Sequence, residues 1–159
     1  VNLSFADADP RHIEEFCSWT YPEPYERYSL DSSAIPYFLT LLEDPQGSLT
    51  MITDPSGQLI AYVTTGPDAR VPGGDYADEL LDIGLGIRPE LTGRGLGTEI
   101  VAKVLGSLEM AFPGLGFRVT IADFNLRAQK VWMRNGFVES KRFISEKSGD
   151  AFLILTRER

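Results

Sequence analysis

The chain has 159 residues, enough for a single domain with a proper core, and its 43% hydrophobic and 24% charged residues are ordinary proportions for a globular protein. No apolar run approaches the ~20 residues that a membrane span needs, and VNLSFADADP lacks the basic-then-apolar layout of a signal peptide. The net charge of −8 argues against nucleic acid, whose phosphates dominate affinity. The expectation is a cytoplasmic protein with no membrane and no nucleic-acid partner.

The distribution of charge says more than the total. Residues 1–82 carry 15 acids against Arg11, Arg27 and Arg70, a net of −12, while residues 83–159 carry 8 acids against 12 bases, a net of +4. Two such halves either face ligands of opposite sign or are simply solvated surfaces. Cys17, the only cysteine, falls at helical spacing with Ile13 and Phe16 and reads as a core thiol. His12 lies one turn away, but no third partner completes a nucleophile with it.

In chain order, a short strand over about residues 2–5 leads to Asp9-Pro10, which as N-cap and first helical residue open a helix ending near Trp19. TYPEPYERYSL follows as an ordered loop, and Ser32 or Ser33 caps a second helix through about Leu42. SLTMITD and QLIAYVTT form a hairpin about Pro55-Ser56-Gly57. The loop GPDARVPGGDY leads to a third long strand over Leu80–Ile87. IRPELTGRGLG then opens a helix with the apolar stripe Ile100, Val101, Val104, Leu105 and Leu108, ended by Pro113-Gly114. FRVTIAD is a strand, Asn125 caps a short helix finished by Gly136, and FVESKRFIS with AFLILTR forms a second hairpin. The order is β-α-α-β-β-β-α-β-α-β-β, with no repeat and no visible domain boundary. Its central crossover implies a parallel strand pair covered by helices.

Thr92-Gly93-Arg94-Gly95-Leu96-Gly97 joins a strand to a helix. Glycine lets the backbone take positive φ and bare its N–H groups, and the first turn of a helix has unpaired N–H groups at its positive end. Such a turn holds a phosphate or pyrophosphate, and Arg88 and Arg94 add charge. A P-loop fails for want of its lysine, and a Rossmann turn fails because Thr98 stands where its third glycine belongs.

IRPELTGRGLGTEIV resembles the coenzyme A-binding motif of GNAT acetyltransferases, [RQ]xxGx[GA], through Gly95 and Gly97, with Thr92 replacing the leading Arg or Gln. NLRAQKVWMRNGF is similar to the family's second signature, NxxAxxxYxxxGF, with Asn125, Ala128, Gly136 and Phe137 in place. GPDARVPGG and DIGLGIRPELTGRGLG further resemble a bacterial subgroup of that family. The resemblance spans nearly the whole chain. It implies an α/β GNAT (acyl-CoA N-acyltransferase) fold over residues 1–159, a mixed twisted central sheet of about seven strands with helices on both faces. It also implies acetyl-CoA as cosubstrate, no metal, and transfer to an amine that attacks the thioester directly. The acceptor is expected to be a small, cationic primary amine. The alternative is an acetyl-CoA-binding module with little or no catalysis, and a homodimer is left open as the assembly.

By the same resemblance, Thr92, Gly93, Arg94, Gly95, Leu96, Gly97, Thr98 and Asn125 bind the cofactor. The main-chain N–H of Leu85 meets the developing oxyanion, and that of Ile87 meets the pantetheine arm. On the Leu80–Ile87 strand, Gly84 and Gly86 leave one face bare, so that either a ligand lies against the backbone or a helix packs closely. Asp82 on that face is either the general base or a carboxylate paired with backbone or an arginine, since burying it unpaired is costly. Thr120, at another family position for the acid, cannot serve. Trp132 stands where the family usually has a tyrosine that protonates the leaving thiolate; indole cannot release its proton at neutral pH, so Trp132 is either beside the sulfur or a core aromatic. Either acceptor selection falls to Tyr21, Glu23, Tyr25, Glu26 and Tyr28, with a second acidic loop from Asp68 to Asp78, because aromatics beside carboxylates suit a cation, or YPEPYERY is only a packed loop.

Overall fold

A computed structural model describes residues 2–158. Among these, seven strands form a mixed sheet in the order β1-β2-β3-β4-β5-β7-β6, accompanied by four α-helices. The elements are β1 (Ser4–Asp7), α1 (Pro10–Cys17), α2 (Ile35–Leu41), β2 (Leu49–Thr53), β3 (Leu59–Thr65), β4 (Leu81–Ile87), α3 (Gly97–Ala111), β5 (Phe117–Ala122), α4 (Leu126–Arg134), β6 (Val138–Ile144) and β7 (Ala151–Arg157). The element order expected from the sequence is the one observed. So is the parallel pair, β4 with β5; β1–β2, β2–β3, β5–β7 and β6–β7 are antiparallel. The chain groups into two compact units, residues 1–64 with 85–92 and residues 65–84 with 93–159, and β4 contributes to each.

In the first unit, the core gathers α1, α2 and the first strands around Ile13, Phe16, Phe38, Met51 and Leu59. Asp9 caps α1 by accepting the His12 N–H at 3.0 Å, and Pro10 follows as expected. The second helix begins differently from the expectation. A 3-10 turn over Ser32–Ala34 precedes α2; Asp31 caps that turn, its carboxylate accepting the Ser33 N–H at 2.8 Å, while the N-cap of α2 itself is Ala34, with no side-chain hydrogen bond. Ser32 and Ser33 are taken up in the 3-10 turn, so neither stands at the α2 cap position. Strand β1 lies two residues later than expected, where it pairs Ser4 with Thr53 through Asp7 with Thr50.

In the second unit, four of the five stripe residues of α3, Ile100, Val101, Val104 and Leu105, are buried, and Leu108 is half-buried. They share that unit with the buried residues of β5 and β7. Gly97 opens α3, and a Cβ there would come within 3.2 Å of Val131 Cγ2, so this glycine serves the close packing of α3 on α4. Asn135 ties the same two helices together, donating to the carbonyls of Thr98 at 3.2 Å and Val131 at 2.9 Å. No described helix is long and apolar enough to cross a membrane.

Candidate active site

The glycine turn has the backbone that an anion site requires. Gly93 and Gly95 adopt φ of +72° and +80°, which side-chain-bearing residues rarely take, and no described residue beyond its chain neighbours stands within 4 Å of where a Gly95 Cβ would lie. The N-cap of α3 is Leu96, whose side chain makes no capping hydrogen bond. Arg127 of α4, which the sequence reading passed over, brings its Nη1 to 3.4 Å from the position of a Gly93 Cβ. Its position two residues after the Asn125 cap was the available signal, and only the approach of the turn to α4 gives it meaning.

Asn125 caps α4 through its side chain, which accepts the Ala128 N–H at 3.1 Å. Trp132 is 6% exposed and meets Phe137 edge-to-face, ring centroids 5.1 Å apart. That arrangement matches the core alternative considered for this residue.

On β4, Leu85 and Ile87 are half-buried. The glycine face expected to admit a ligand is occupied at Gly86 by protein. A Cβ there would lie 2.2 Å from Tyr62 Cε1, and the Tyr62 ring is itself stacked on Phe16 at 4.0 Å. Burial pushes the Tyr62 phenol up to about 12. The Tyr21 hydroxyl donates to the Ile87 carbonyl at 2.6 Å, and the Tyr21 N–H donates to Ser29 Oγ at 2.8 Å. Of the loop residues expected to select the acceptor, Tyr21 is thus tied to β4, while Glu23, Glu26 and Tyr28 are exposed and Tyr25 is partly covered.

Asp82 is 1% exposed and has its carboxylate occupied on both oxygens. Oδ1 accepts from Arg118 Nε at 2.7 Å; Oδ2 accepts from Arg118 Nη2 and from Arg70 Nε, each at 2.8 Å. Arg118 is itself 2% exposed, gives Nη1 to the Asp78 carbonyl at 3.0 Å, and has its proton held more tightly by the hydrogen-bonded Asp82. Tyr76 lies under both guanidinium groups and shares a hydrogen bond with Thr120 at 2.8 Å. This is the arginine-paired alternative left open for Asp82. As a base it would have to collect a proton on an oxygen already held by guanidinium donors. Arg118 and Tyr76 were not singled out from the sequence; an arginine inside the apolar run FRVTIA was the missed signal for a buried partner. Cys17 is also buried, which pushes its thiol up, the reverse of what a nucleophile needs.

Charge divides by unit rather than by half. Residues 1–64 with 85–92 carry 11 acids against Arg11, Arg27 and Arg88, a net of −8, while the other unit carries 12 of each sign. The basic surplus of residues 83–159 is offset by Asp68, Asp75, Asp78, Glu79 and Asp82, which fold with it.

The acetyltransferase (GNAT) family model matches residues 11–137, and the chain belongs to that family, the N-acetyltransferases. Solved structures with the same fold include an acetyltransferase of the GNAT family from Bacillus anthracis (TM-score 0.73, 13% identity, covering 99% of this chain and 95% of that one). Another is a spermidine N-acetyltransferase SpeG chimera from Vibrio cholerae and hSSAT (TM-score 0.71, 15% identity, 98% and 95% covered). A third is the GNAT-family acetyltransferase from Streptococcus pneumoniae (TM-score 0.63, 14% identity, 98% of each chain). No curated protein matches the chain in sequence.

Acetyl-CoA is the family's cosubstrate, and the glycine turn suits its pyrophosphate. Two left-handed glycines present backbone N–H groups, the α3 terminus adds its dipole, and Arg94 and Arg127 add positive charge.

Proposed function

We propose that this acetyltransferase moves the acetyl group of acetyl-CoA to the primary amine of a small, cationic acceptor. The observation that carries the acceptor class is electrostatic: the whole net charge of −8 falls on the unit that holds the Tyr21–Tyr28 loop. A protonated amine is drawn toward such a surface, and Tyr25 and Tyr28 beside Glu23 and Glu26 offer it ring faces and carboxylates. The spermidine N-acetyltransferase among the structural neighbours takes a polycationic amine by its name; at 15% identity it supports the fold, and the acceptor class rests on charge.

When bound, the thioester supplies an activated acyl group. The backbone of residues 93–98 would hold the pyrophosphate, the Ile87 N–H would orient the arm, and the Leu85 N–H would stabilise the negative charge developing on the thioester oxygen. Asp82 is assigned to holding the 66–80 loop through Arg70 and Arg118, and Trp132 to packing against Phe137. An alkyl thiol has a pKa of roughly 8.5, so departure of the thiolate without a tyrosine donor remains feasible near neutrality.

The test is free-thiol release from acetyl-CoA over a panel of polyamines, monoamines, amino acids and acidic peptides. Turnover is expected with the cationic members. A preference for acceptors of net negative charge refutes the acceptor class.

A further inference from the structure

The peptide unit between Ile87 and Arg88 is fixed at both ends. Its N–H, that of Arg88, donates to the Ile60 carbonyl of β3 at 2.8 Å. In a planar trans peptide the carbonyl points the opposite way, so the Ile87 oxygen is turned from β3, and there the Tyr21 hydroxyl donates to it at 2.6 Å. Ile87 is the last residue of β4, and in an extended residue N–H and C=O leave the backbone on the same side. The Tyr21 hydroxyl therefore stands on the edge to which the Ile87 N–H is directed. Arg88 reinforces the hold, donating from Nε to the Leu59 carbonyl at 2.6 Å and pairing with Glu15, while its guanidinium lies 5.2 Å from the Trp19 ring.

We infer that Tyr21 is a positioning residue: its hydroxyl sets the Ile87 peptide so that the neighbouring N–H can hold the arm of the cosubstrate, and it thereby couples the 20–29 loop to cosubstrate affinity. This rests on the assignment of Ile87 to the arm. It differs from the sequence expectation, in which Tyr21 touches the acceptor. The coupling has a direct consequence: the hydroxyl matters for the arm and not for the nucleotide end, which belongs to the glycine turn.

The experiment is calorimetry of Tyr21→Phe and the parent chain with two ligands, acetyl-CoA and adenosine 3′-phosphate 5′-diphosphate, which has the phosphates and no arm. A thermal melt of both proteins checks that the fold is kept. Loss of one hydrogen bond predicts acetyl-CoA affinity lower by about 3- to 10-fold, with nucleotide affinity unchanged. Equal losses for both ligands, or none for either, overturn the inference. So does a variant that keeps its acetyl-CoA affinity but has a raised KM for the amine, which would return Tyr21 to the acceptor. A parent chain that binds neither ligand refutes the cosubstrate reading and this inference with it.

Discussion

Asp82 and Arg118 are direct partners in the β4–β5 register, and their side chains close a two-point ion pair that is almost wholly shielded from water. Arg70 reaches the same carboxylate from the loop that follows β3. Removing one member of a buried pair leaves a buried charge uncompensated, which costs about 3–5 kcal/mol. Asp82→Asn is expected to lower the unfolding free energy measured in urea by that order. Arg70→Ala, whose side chain is 38% exposed, should cost only about 1 kcal/mol or less. If Asp82→Asn is as stable as the parent but inactive with a changed pH profile, Asp82 is the base after all.

The glycine turn can be separated from glycine strain in general. Gly95 and Gly114 lie before and after α3 with φ of +80° and +82°, and neither has a neighbour within 4 Å of a built Cβ. Valine at either position should cost similar stability, on the order of 1–2 kcal/mol. Only Gly95→Val is expected to lose acetyl-CoA binding by calorimetry. Retained affinity in folded Gly95→Val would remove the turn from the site.

Trp132→Tyr restores the residue the family usually carries. Because Trp132 fills space against Phe137, the smaller ring is expected to cost about 1–3 kcal/mol in denaturant unfolding, with no gain in turnover. A rise in turnover would place position 132 beside the sulfur and show that thiolate departure limits the rate.

Two buried groups predict an alkaline limit. The Cys17 thiol is raised from 9.0, by burial and then by the charge of Asp31, and the Tyr62 phenol is raised from 10.0 to about 12, by burial first. Both ionise more readily when unfolded, so their stabilisation is complete below pH 9 and is lost as pH rises from 9 toward 12. The Tyr62 share is on the order of 2 kcal/mol. Unfolding midpoints across this range should fall for the parent chain and fall less for Tyr62→Phe.

Element order was legible because periodicity and turn residues are local. The α3 stripe, the Pro10 start of α1 and the glycine turn each lie within one short window. What was illegible depended on contacts far apart in sequence. Gly86 reads as a bare face until Tyr62, 24 positions earlier, is found lying on it. Asp82 could be a base or an ion-pair partner until the β4–β5 register sets it opposite Arg118. Ser32 and Ser33 read as helix caps because the pattern does not show that a 3-10 turn, capped by Asp31, comes before α2. Tyr21 was noticed as an aromatic beside acids, but its hydrogen bond spans 66 positions.

Transfer to a cationic amine is decided by the rate of thiol release from acetyl-CoA with a polyamine acceptor, followed at rising ionic strength. Release that requires both substrates, yields the N-acetylated amine, and loses kcat/KM severalfold between low and high salt is the predicted result, because the acidic unit steers the cation. No amine-dependent release, or release whose kcat/KM does not fall as salt screens the acidic unit, contradicts it.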